Sequence, residues 1–219
     1  MIRAGRVKLK GAVSKNPEAA VRFGKDRIEV DGVVVERAKK IYWMLNKPRG
    51  LLTTAEDERG RETVYVGLPA ELPWMAPVGR LDKASEGLLL FTNDSEWAAR
   101  ITTPESHLDK TYHVQIGAVA QDDLIEALTD GVMCGDDELL KAKRARRIRA
   151  GEKNSWIEIV LDEGKNRQIR RMLETRGVQV LRLIRVAIGP LQLGRLEKGQ
   201  ARELTTDEMK KMESTLAYS

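Results

Sequence analysis

A continuous apolar run, Leu88-Leu89-Leu90-Phe91-Thr92, restricts the fold of this chain more than any other feature. Its length suits a β-strand, and apolar side chains at successive positions require cover on both faces of a sheet. The run therefore predicts a central strand inside a layered domain. With 219 residues, the chain is long enough to build such a core.

Strand and helix patterns follow one another irregularly around this run. Strands are predicted at 6–9, 26–32, 41–47, 111–116, 156–161 and 178–186. Helices are predicted from Ser95 to Ile101, from about Asp122 to Gly131, from about Asn166 to Arg176, and after the capping-box sequence Thr205-Thr206-Asp207-Glu208. Because no even β-α-β repeat is present, we predict an α+β fold with a mixed, largely antiparallel sheet flanked by helices.

The composition excludes several kinds of site. Cys134 is the only cysteine, which rules out an intrachain disulfide and a cysteine-based zinc site, and it favours a cytoplasmic location. The two histidines, His107 and His113, are too few for a poly-histidine metal centre. They also offer few candidates for the histidine of a Ser-His-Asp triad. Acid-base chemistry therefore falls to Asp, Glu, Tyr or Lys. We expect neither a signal peptide nor a membrane span, since no apolar stretch approaches the ~20 residues that a span requires.

The net charge of +5 conceals an uneven distribution. Residues 141–195 contain 15 Lys and Arg against 5 Asp and Glu, a local net charge of +10. Such a segment favours a polyanionic partner, with nucleic acid as the first candidate, although solvated charges can also cluster without a partner.

The segment Gly79-Arg80-Leu81-Asp82 lies just before the apolar run. A glycine at this point permits a tight loop that lifts the two charged side chains off the sheet. The pattern is compatible with a catalytic carboxylate and also with a surface turn in which Asp82 only caps the next segment.

A second candidate is the strand that contains Lys110-Thr111-Tyr112-His113-Val114. Alternation along a strand sends Tyr112 and Val114 to one face and Thr111 and His113 to the other. Tyr112 is either a half-buried strand aromatic or a residue that stacks on a base and brings a phenol to a proton-transfer site.

A turn that opens a helix, residues 163–172, carries amides and guanidinium groups in its first turn. A helix N-terminus has free N–H groups, and arginine adds paired donors, so phosphate or carboxylate is the natural ligand. The competing interpretation is a basic amphipathic helix on a solvated surface.

Residues 141–149 hold six cations in nine positions. As a strand, this segment would place Lys141, Lys143, Ala145, Arg147 and Arg149 on one face. It is compatible with contacts to an RNA backbone and with a solvated edge strand that resists aggregation.

Taken together, these stretches resemble the pseudouridine synthases, in the branch that modifies uridines of ribosomal RNA. The resemblance covers about residues 41–205, in the family's order and approximate spacing. Its motifs are Asn46-Lys47-Pro48-Arg49-Gly50, Gly79-Arg80-Leu81-Asp82 with Gly87-Leu88-Leu89-Leu90, Lys110-Thr111-Tyr112, residues 163–172, and Leu181-Arg182-Leu183-Ile184-Arg185 with Ile188-Gly189-Pro190.

The resemblance implies an RNA isomerase that needs no cofactor and no metal. It implies that Asp82 is the catalytic aspartate, which either attacks carbon or removes a 2′ proton. Arg170 would pair with Asp82 and favour its ionised form, and Tyr112 would sit against the target base.

The resemblance also implies contacts with the RNA. Arg80 resembles the residue that enters the RNA stack when the target base leaves it, and Val160 or Leu161 would supply the apolar contact beneath the base. The other expected RNA contacts are Asn166, Arg167, Gln168, Arg171, Lys141, Lys143, Arg147 and Arg149.

Residues 6–35 resemble the latter part of an S4 RNA-binding module, without the helix pair that normally opens it. We therefore expect a partial S4-like segment over residues 1–40 and a catalytic domain over residues 41–219. The expected partner is ribosomal RNA, and the expected state is a monomer.

Two other functions fit parts of the sequence. A catalytically silent RNA-binding protein that assists ribosome assembly would use the same basic segments, but binding alone does not require a carboxylate facing a polyanion. An enzyme with a small phosphate-bearing substrate would use the helix start near Asn166, yet it leaves residues 141–149 without a role.

Overall fold

The computed structural model of the protein describes residues 1–22, 25–35, 39–135 and 137–217. The chain divides into two compact units, Met1–Lys40 and Ile41–Ser219. In the first unit, an antiparallel sheet has the order β2-β1-β3-β4. Its strands are β1 (Val7–Leu9), β2 (Ala12–Val13), β3 (Ile28–Val30) and β4 (Val33–Val34). Five residues of the predicted S4-like segment, Phe23, Gly24, Glu36, Arg37 and Ala38, lie outside the described residues.

The described residues of the second unit form the central sheet and four helices. Its strands are β5 (Tyr42–Lys47), β6 (Ala76–Val78), β7 (Glu86–Thr92), β8 (Lys110–Ile116), β9 (Val132–Cys134), β10 (Glu138–Leu140), β11 (Arg144–Ala150), β12 (Ser155–Leu161), β13 (Val180–Ile188), β14 (Leu191–Gln192) and β15 (Ala201–Glu203). Its helices are α1 (Ser95–Thr102), α2 (Asp122–Asp130), α3 (Gln168–Thr175) and α4 (Thr206–Ala217), and short 3₁₀ turns cover Val64–Gly67 and Pro104–Ser106.

The main sheet has the order β11-β12-β8-β13-β7-β5-β15, and β14 and β6 pair at its side with β13 and β7. The β13–β7 pair is parallel, and the other pairs of this sheet are antiparallel. The predicted α+β class and the mixed, largely antiparallel sheet are therefore confirmed. Within the described residues, no helix has the length and apolar character that crossing a membrane requires.

Strand β7 is the doubly covered strand that the apolar run predicts, and all of its residues are buried. Leu88 and Leu90 pack in a cluster with residues of α1 and α4 on one face of the sheet. Leu89 and Phe91 pack in a second cluster, with Leu81, on the opposite face.

Strand pairing defines the two faces of the sheet. We call one the site face: it carries Tyr112 and its direct cross-strand neighbours Ile159 and Arg185. The other, the far face, carries His113 and its neighbour Glu158. On the site face, α2 and α3 cover one end of the sheet, and the cluster that contains Leu89 and Phe91 covers the other end.

Tyr112 packs against both of these clusters, so it lies where the two covered ends of the site face meet. Gly87 of β7 lies beside Arg185 in the parallel pair. A Cβ atom at Gly87 would lie 2.2 Å from the Arg185 carbonyl oxygen, and its φ of +103° also requires glycine. Glycine at this position therefore lets β7 and β13 approach closely at the centre of the face.

Local capping explains two helix starts. The predicted capping box of α4 is confirmed: the Thr205 N–H donates to the Glu208 carboxylate at 2.8 Å, and the Glu208 N–H donates to the Thr205 hydroxyl at 3.2 Å. Helix α1 instead takes Asp94 as its N-cap, where we predicted Ser95, because the Asp94 carboxylate accepts the N–H of Trp97.

Candidate active site

The loop that joins β6 to β7 presents the candidate carboxylate. Gly79 has a φ of +72°, the left-handed conformation that only glycine adopts readily, as the tight-loop prediction requires. The Ser85 N–H donates to the Asp82 carbonyl at 2.9 Å and closes the turn. Asp82 itself is exposed, so its carboxylate is free to meet a substrate.

A buried lysine binds the main-chain carbonyl groups of this loop. Lys47 at the end of β5 has no exposed surface, and its ammonium donates to the carbonyl oxygens of Ser85 at 2.9 Å, Pro48 at 3.1 Å and Asp82 at 3.2 Å. Burial lowers the pKa of Lys47 to about 8, although the negative charges of Asp82 and Glu86 oppose the shift. Lys47 was part of a sequence motif, but its spacing gave no sign that it anchors the loop.

Two further contacts fix the main chain of the loop. The Thr53 hydroxyl donates to the Leu81 carbonyl at 2.7 Å and accepts the Leu81 N–H at 3.3 Å. The Gly50 N–H donates to the Lys83 carbonyl at 2.8 Å. The carboxylate of Asp82 is therefore exposed, whereas the backbone that carries it is tied to the fold on both sides.

Arg170 on α3 approaches the same loop, but its contact differs from the predicted ion pair. Its Nη2 donates to the Ala84 carbonyl at 3.1 Å, and no ion pair within 4.0 Å joins it to Asp82 in the described part of the chain. Among the residues that the structure describes, its buried Nε has no hydrogen-bond partner. Burial lowers the pKa of Arg170, nearby Arg167 adds to the effect, and the negative charge of Asp82 opposes it. The two side chains thus interact electrostatically without direct contact.

The sheet beneath the loop supplies the aromatic and apolar groups. Tyr112 is half-buried on the site face, beside Arg185. Arg185 is buried; its Nε donates to the Leu88 carbonyl at 2.8 Å, and among the described residues its Nη2 has no hydrogen-bond partner. Arg185 was part of a sequence motif but received no predicted role. A cation within a mainly apolar strand is the signal that could have identified it.

Strand alternation separates the two candidates for the apolar contact beneath the base. Leu161 lies two residues beyond Ile159, so it shares the face of Tyr112 and packs in the same cluster. Val160 points to the far face, and the prediction that it could contact the base is wrong for this reason.

The helix predicted at 166–176 begins at Gln168, because Arg167 has a left-handed φ of +47°. Asn166 and Arg167 precede the helix and are exposed. Gln168 is 2% exposed and donates to the Lys141 carbonyl and the Glu163 carboxylate, so it stabilises the fold and is not accessible for the RNA contact that we expected of it. Arg171 pairs with Glu138 at 2.6 Å.

Most of the basic segment 141–149 belongs to the edge strand β11 (Arg144–Ala150). The cations of this strand are divided between the two faces of the sheet. Lys141 and Lys143 precede the strand and are exposed. The expectation that Arg147 and Arg149 share a face is wrong: the register shifts between them, and Arg149 lies opposite Trp156 of the far face. Arg147 donates to the Ala120 carbonyl at 2.7 Å.

An open cavity of about 560 Å³ adjoins the loop. Exposed Arg80 lines it together with residues 52–54, residues 56–59 and Arg61. Arg61 is held by Asp57 at 2.6 Å, whereas the described residues show no ion pair for Arg80. Arg80 is therefore available at the rim of the site.

In the described part of the chain, no group of three His, Cys, Asp or Glu side chains is arranged to hold a metal ion. The site brings together the carboxylate of Asp82, the phenol of Tyr112, the apolar side chain of Leu161, and two arginines, Arg170 and Arg185. Each arginine has one buried nitrogen without a hydrogen-bond partner among the described residues. Such a set suits proton transfer and the binding of an anionic, base-containing substrate.

Comparison with known proteins gives consistent matches. The family model described as RNA pseudouridylate synthase matches residues 41–175. The chain is 36% identical to ribosomal large subunit pseudouridine synthase B of Bacillus subtilis (strain 168), over 97% of this chain and 87% of that protein. It is 36% identical to an uncharacterized RNA pseudouridine synthase of Aquifex aeolicus (strain VF5), over 95% and 84%. A crystal structure of a pseudouridylate synthase matches with a TM-score of 0.71 and 30% identity, covering 96% of this chain and 90% of that one.

Proposed function

The chain belongs to the RNA pseudouridylate synthase family and is a pseudouridine synthase, and from this premise we propose that it isomerises a uridine of ribosomal RNA through Asp82. The observation that carries the proposal is the exposed Asp82 carboxylate on a loop anchored by Lys47 and Thr53, within electrostatic reach of Arg170. The similarity to a named ribosomal large subunit enzyme supports ribosomal RNA as the substrate.

The proposed reaction moves one bond. The bond between C1′ of the ribose and N1 of uracil breaks, the uracil turns, and a new bond joins C1′ to C5. The proton on C5 is removed, and N1 gains a proton, so atoms and charge balance over the reaction. The reaction requires an ionised carboxylate near the sugar, a base for the C5 proton, and a pocket that excludes water.

Asp82 supplies the carboxylate in this account. Whether it attacks carbon or removes a 2′ proton, it must act as a carboxylate, and the positive charge of Arg170 lies close enough to interact with it electrostatically.

Tyr112 and Leu161 form the surface that receives the uracil. Both lie on the site face, and the phenol of Tyr112 is the group that we assign to proton transfer at C5, directly or through water. A base inside structured RNA must leave its stack to reach them, at a cost of a few kcal/mol. We assign Arg80, at the open rim, to the space that the base vacates.

Exposed cations around the site position the RNA backbone in the proposal. Asn166 and Arg167 before α3 and Lys141 before β11 are exposed and suit phosphate oxygens. Gln168 and Arg147 act indirectly, because both side chains donate to main-chain carbonyls. Such contacts add affinity without sequence preference, so they do not select the target uridine.

The N-terminal unit, residues 1–40, is proposed as an accessory RNA-binding, S4-like segment. It contains 11 Lys and Arg against 5 Asp and Glu, a balance that favours an RNA backbone. We propose a monomer, because the residues assigned to catalysis all come from one chain.

Two measurements test the proposed function. Pseudouridine is mapped in ribosomal RNA from cells with and without the protein, and one uridine should lose its modification in the deletion strain. The purified protein is then incubated with ribosomal RNA that carries tritium at uridine C5. Tritium release supports an enzyme, whereas tight binding without release would favour the silent ribosome-assembly factor.

A further inference from the structure

A basic groove runs across the far face of the main sheet, behind the proposed active site. Direct cross-strand pairs place Arg146 next to Glu158 and Glu158 next to His113, so these side chains share this face. Arg144 and Arg146 are exposed, with about two thirds of each side chain accessible. The groove is therefore open to a large partner.

Two adjoining cavities, of about 330 and 470 Å³, form this groove. Both are lined by Arg144, Glu158 and Val160, so the cavities adjoin one another. The smaller reaches Lys143 and, around the edge of the sheet, Thr129 on α2, and the larger reaches Gln192 on β14. Together their lining residues extend from the edge strand β11 to β14, which suits an extended chain more than a compact small molecule.

A row of side chains crosses the sheet beside the groove. Its members, in order across β11, β12, β8 and β13, are Arg149, Trp156, Gln115 and Arg182. The guanidinium of Arg182 lies 5.7 Å from the centre of the half-buried Trp156 ring. Arginines, an aromatic ring and an amide in one row are the groups that bind nucleic-acid strands.

The charge around the groove is positive. Among the described residues that line it or stand beside it, the cations are Lys143, Arg144, Arg146, Arg149, Arg182 and Lys198, and the acids are Glu86, Asp109 and Glu158. Asp109 pairs with Lys143 and Arg144, Glu158 with Arg146, and Glu86 with Arg182 and Lys198. Six cations against three acids leave a net charge of +3, because most of the acids are shared between two cations.

We propose that this groove binds the phosphate backbone of a second RNA segment, on the side of the sheet opposite the target uridine. The inference rests on the proposed RNA substrate but concerns a different surface. Arg144 and Arg146 are two residues apart on a strand, hence ~6.7 Å apart along it, and each can bind a phosphate with paired donors. An acidic peptide would not use the Trp156 and Gln115 of the adjoining row, so RNA fits the whole surface better.

The test compares the double variant Arg144→Gln/Arg146→Gln with wild type, using a ribosomal RNA transcript that contains the modified site and a short hairpin cut from it. We expect the variant to bind the transcript about tenfold more weakly, with a salt dependence shallower by about 1.5 in the slope of log K against log salt. Binding to the hairpin should change less than about twofold, since it is too short to reach both faces.

The matched control is Lys210→Gln/Lys211→Gln, which removes the same charge from exposed positions on α4. Its affinity for the transcript should stay near that of wild type. Equal losses on transcript and hairpin, no loss on either, or the same loss in the control would each overturn the proposal. Absence of tritium release by wild type would instead contradict the proposed function and leave these binding results interpretable.

Cross-linking locates the contact directly. Transcript that contains 4-thiouridine is irradiated with the protein, and cross-linked peptides are identified by mass spectrometry. Adducts on β11 or β12 at Arg149 or Trp156 support the groove. Adducts confined to the site face would overturn it.

Discussion

The ammonium of Lys47 lies 3.2 Å from the main-chain carbonyl oxygen of Asp82 and has no exposed surface. A buried cation thus holds the backbone of the residue whose exposed carboxylate is assigned to catalysis. The other two acceptors of Lys47, the carbonyls of Pro48 and Ser85, tie the end of β5 to the start of β7. The position of Asp82 is therefore set by a contact between residues 35 positions apart in the chain.

Lys47→Met should destabilise the protein and slow the reaction. It leaves the three carbonyl oxygens without their common donor, which should lower the free energy of unfolding at pH 7 by about 2 kcal/mol and reduce kcat at least about tenfold. Chemical unfolding and tritium release measure the two effects. Lys83→Met, an exposed change on the same loop, is the control and should keep wild-type stability.

The difference in unfolding free energy between wild type and Lys47→Met should depend on pH, in a direction that follows from the pKa of Lys47. The pKa of Lys47 is about 8 in the folded protein and near its usual value of about 10.4 when unfolded, so the unfolded state binds more protons between these values. Wild-type stability relative to Lys47→Met should therefore rise from pH 8 towards pH 10, by about 3 kcal/mol at most. A gap that shrinks over this range would contradict the burial of a lysine ammonium.

Two replacements of Arg170 should show whether its positive charge or its hydrogen bond to Ala84 supports the reaction. Arg170→Ala should lower kcat by about 10²-fold with a smaller change in KM, because the carboxylate loses its nearby positive charge. Arg170→Lys keeps that charge and should retain more activity. Equal losses in the two variants would show that Arg170 acts only by holding Ala84.

Glu86→Gln tests a buried ion cluster at the start of β7. Glu86 is 3% exposed and accepts two bonds from Arg182, both at 3.0 Å, and one contact from Lys198 at 2.5 Å. Removal of its charge should lower stability at pH 7 by about 2 kcal/mol, less than for a fully buried pair because both partners are partly exposed.

The same variant should change the response to acid. Burial would raise the pKa of Glu86, but Arg182 and Lys198 outweigh it and lower the pKa below its usual value. The stabilisation is therefore complete above the unfolded pKa and is lost as the pH falls through the lower, folded one. The difference between wild type and Glu86→Gln should vanish in acid. Glu174→Gln, which breaks an exposed pair, should show almost no difference at any pH.

Leu161→Ala and Val160→Ala form a matched pair on neighbouring positions of β12. Both side chains are buried, so both variants should lose stability. Only Leu161 shares the face of Tyr112, so Leu161→Ala alone should reduce turnover of a short RNA hairpin at saturating concentration. Equal turnover by the two variants would remove Leu161 from the base-binding surface.

Features encoded by neighbouring residues could be predicted from the sequence. The buried strand follows from five consecutive residues, and the start of α4 follows from Thr205 and Glu208, whose reciprocal bonds span three positions. The loop at Gly79 is likewise local. For such features, the residues that decide the structure are adjacent in the chain.

Features decided by strand pairing could not be predicted. Arg149 changes face because the register of β11 on β12 shifts after Arg147, and the choice of Leu161 over Val160 depends on which residue of β12 lies beside Tyr112. The anchoring role of Lys47 depends on a loop that meets it only in the folded protein. These relationships join distant segments, so the composition and periodicity of one segment do not contain them.

The most direct test of the account is tritium release by Asp82→Asn from ribosomal RNA labelled at uridine C5. The exposed position of Asp82 means that the variant should fold normally and bind RNA within a few-fold of wild type. We predict no release above background, because the amide can neither attack carbon nor remove a proton. Release at a rate within about tenfold of wild type would contradict the assignment of Asp82 as the catalytic carboxylate.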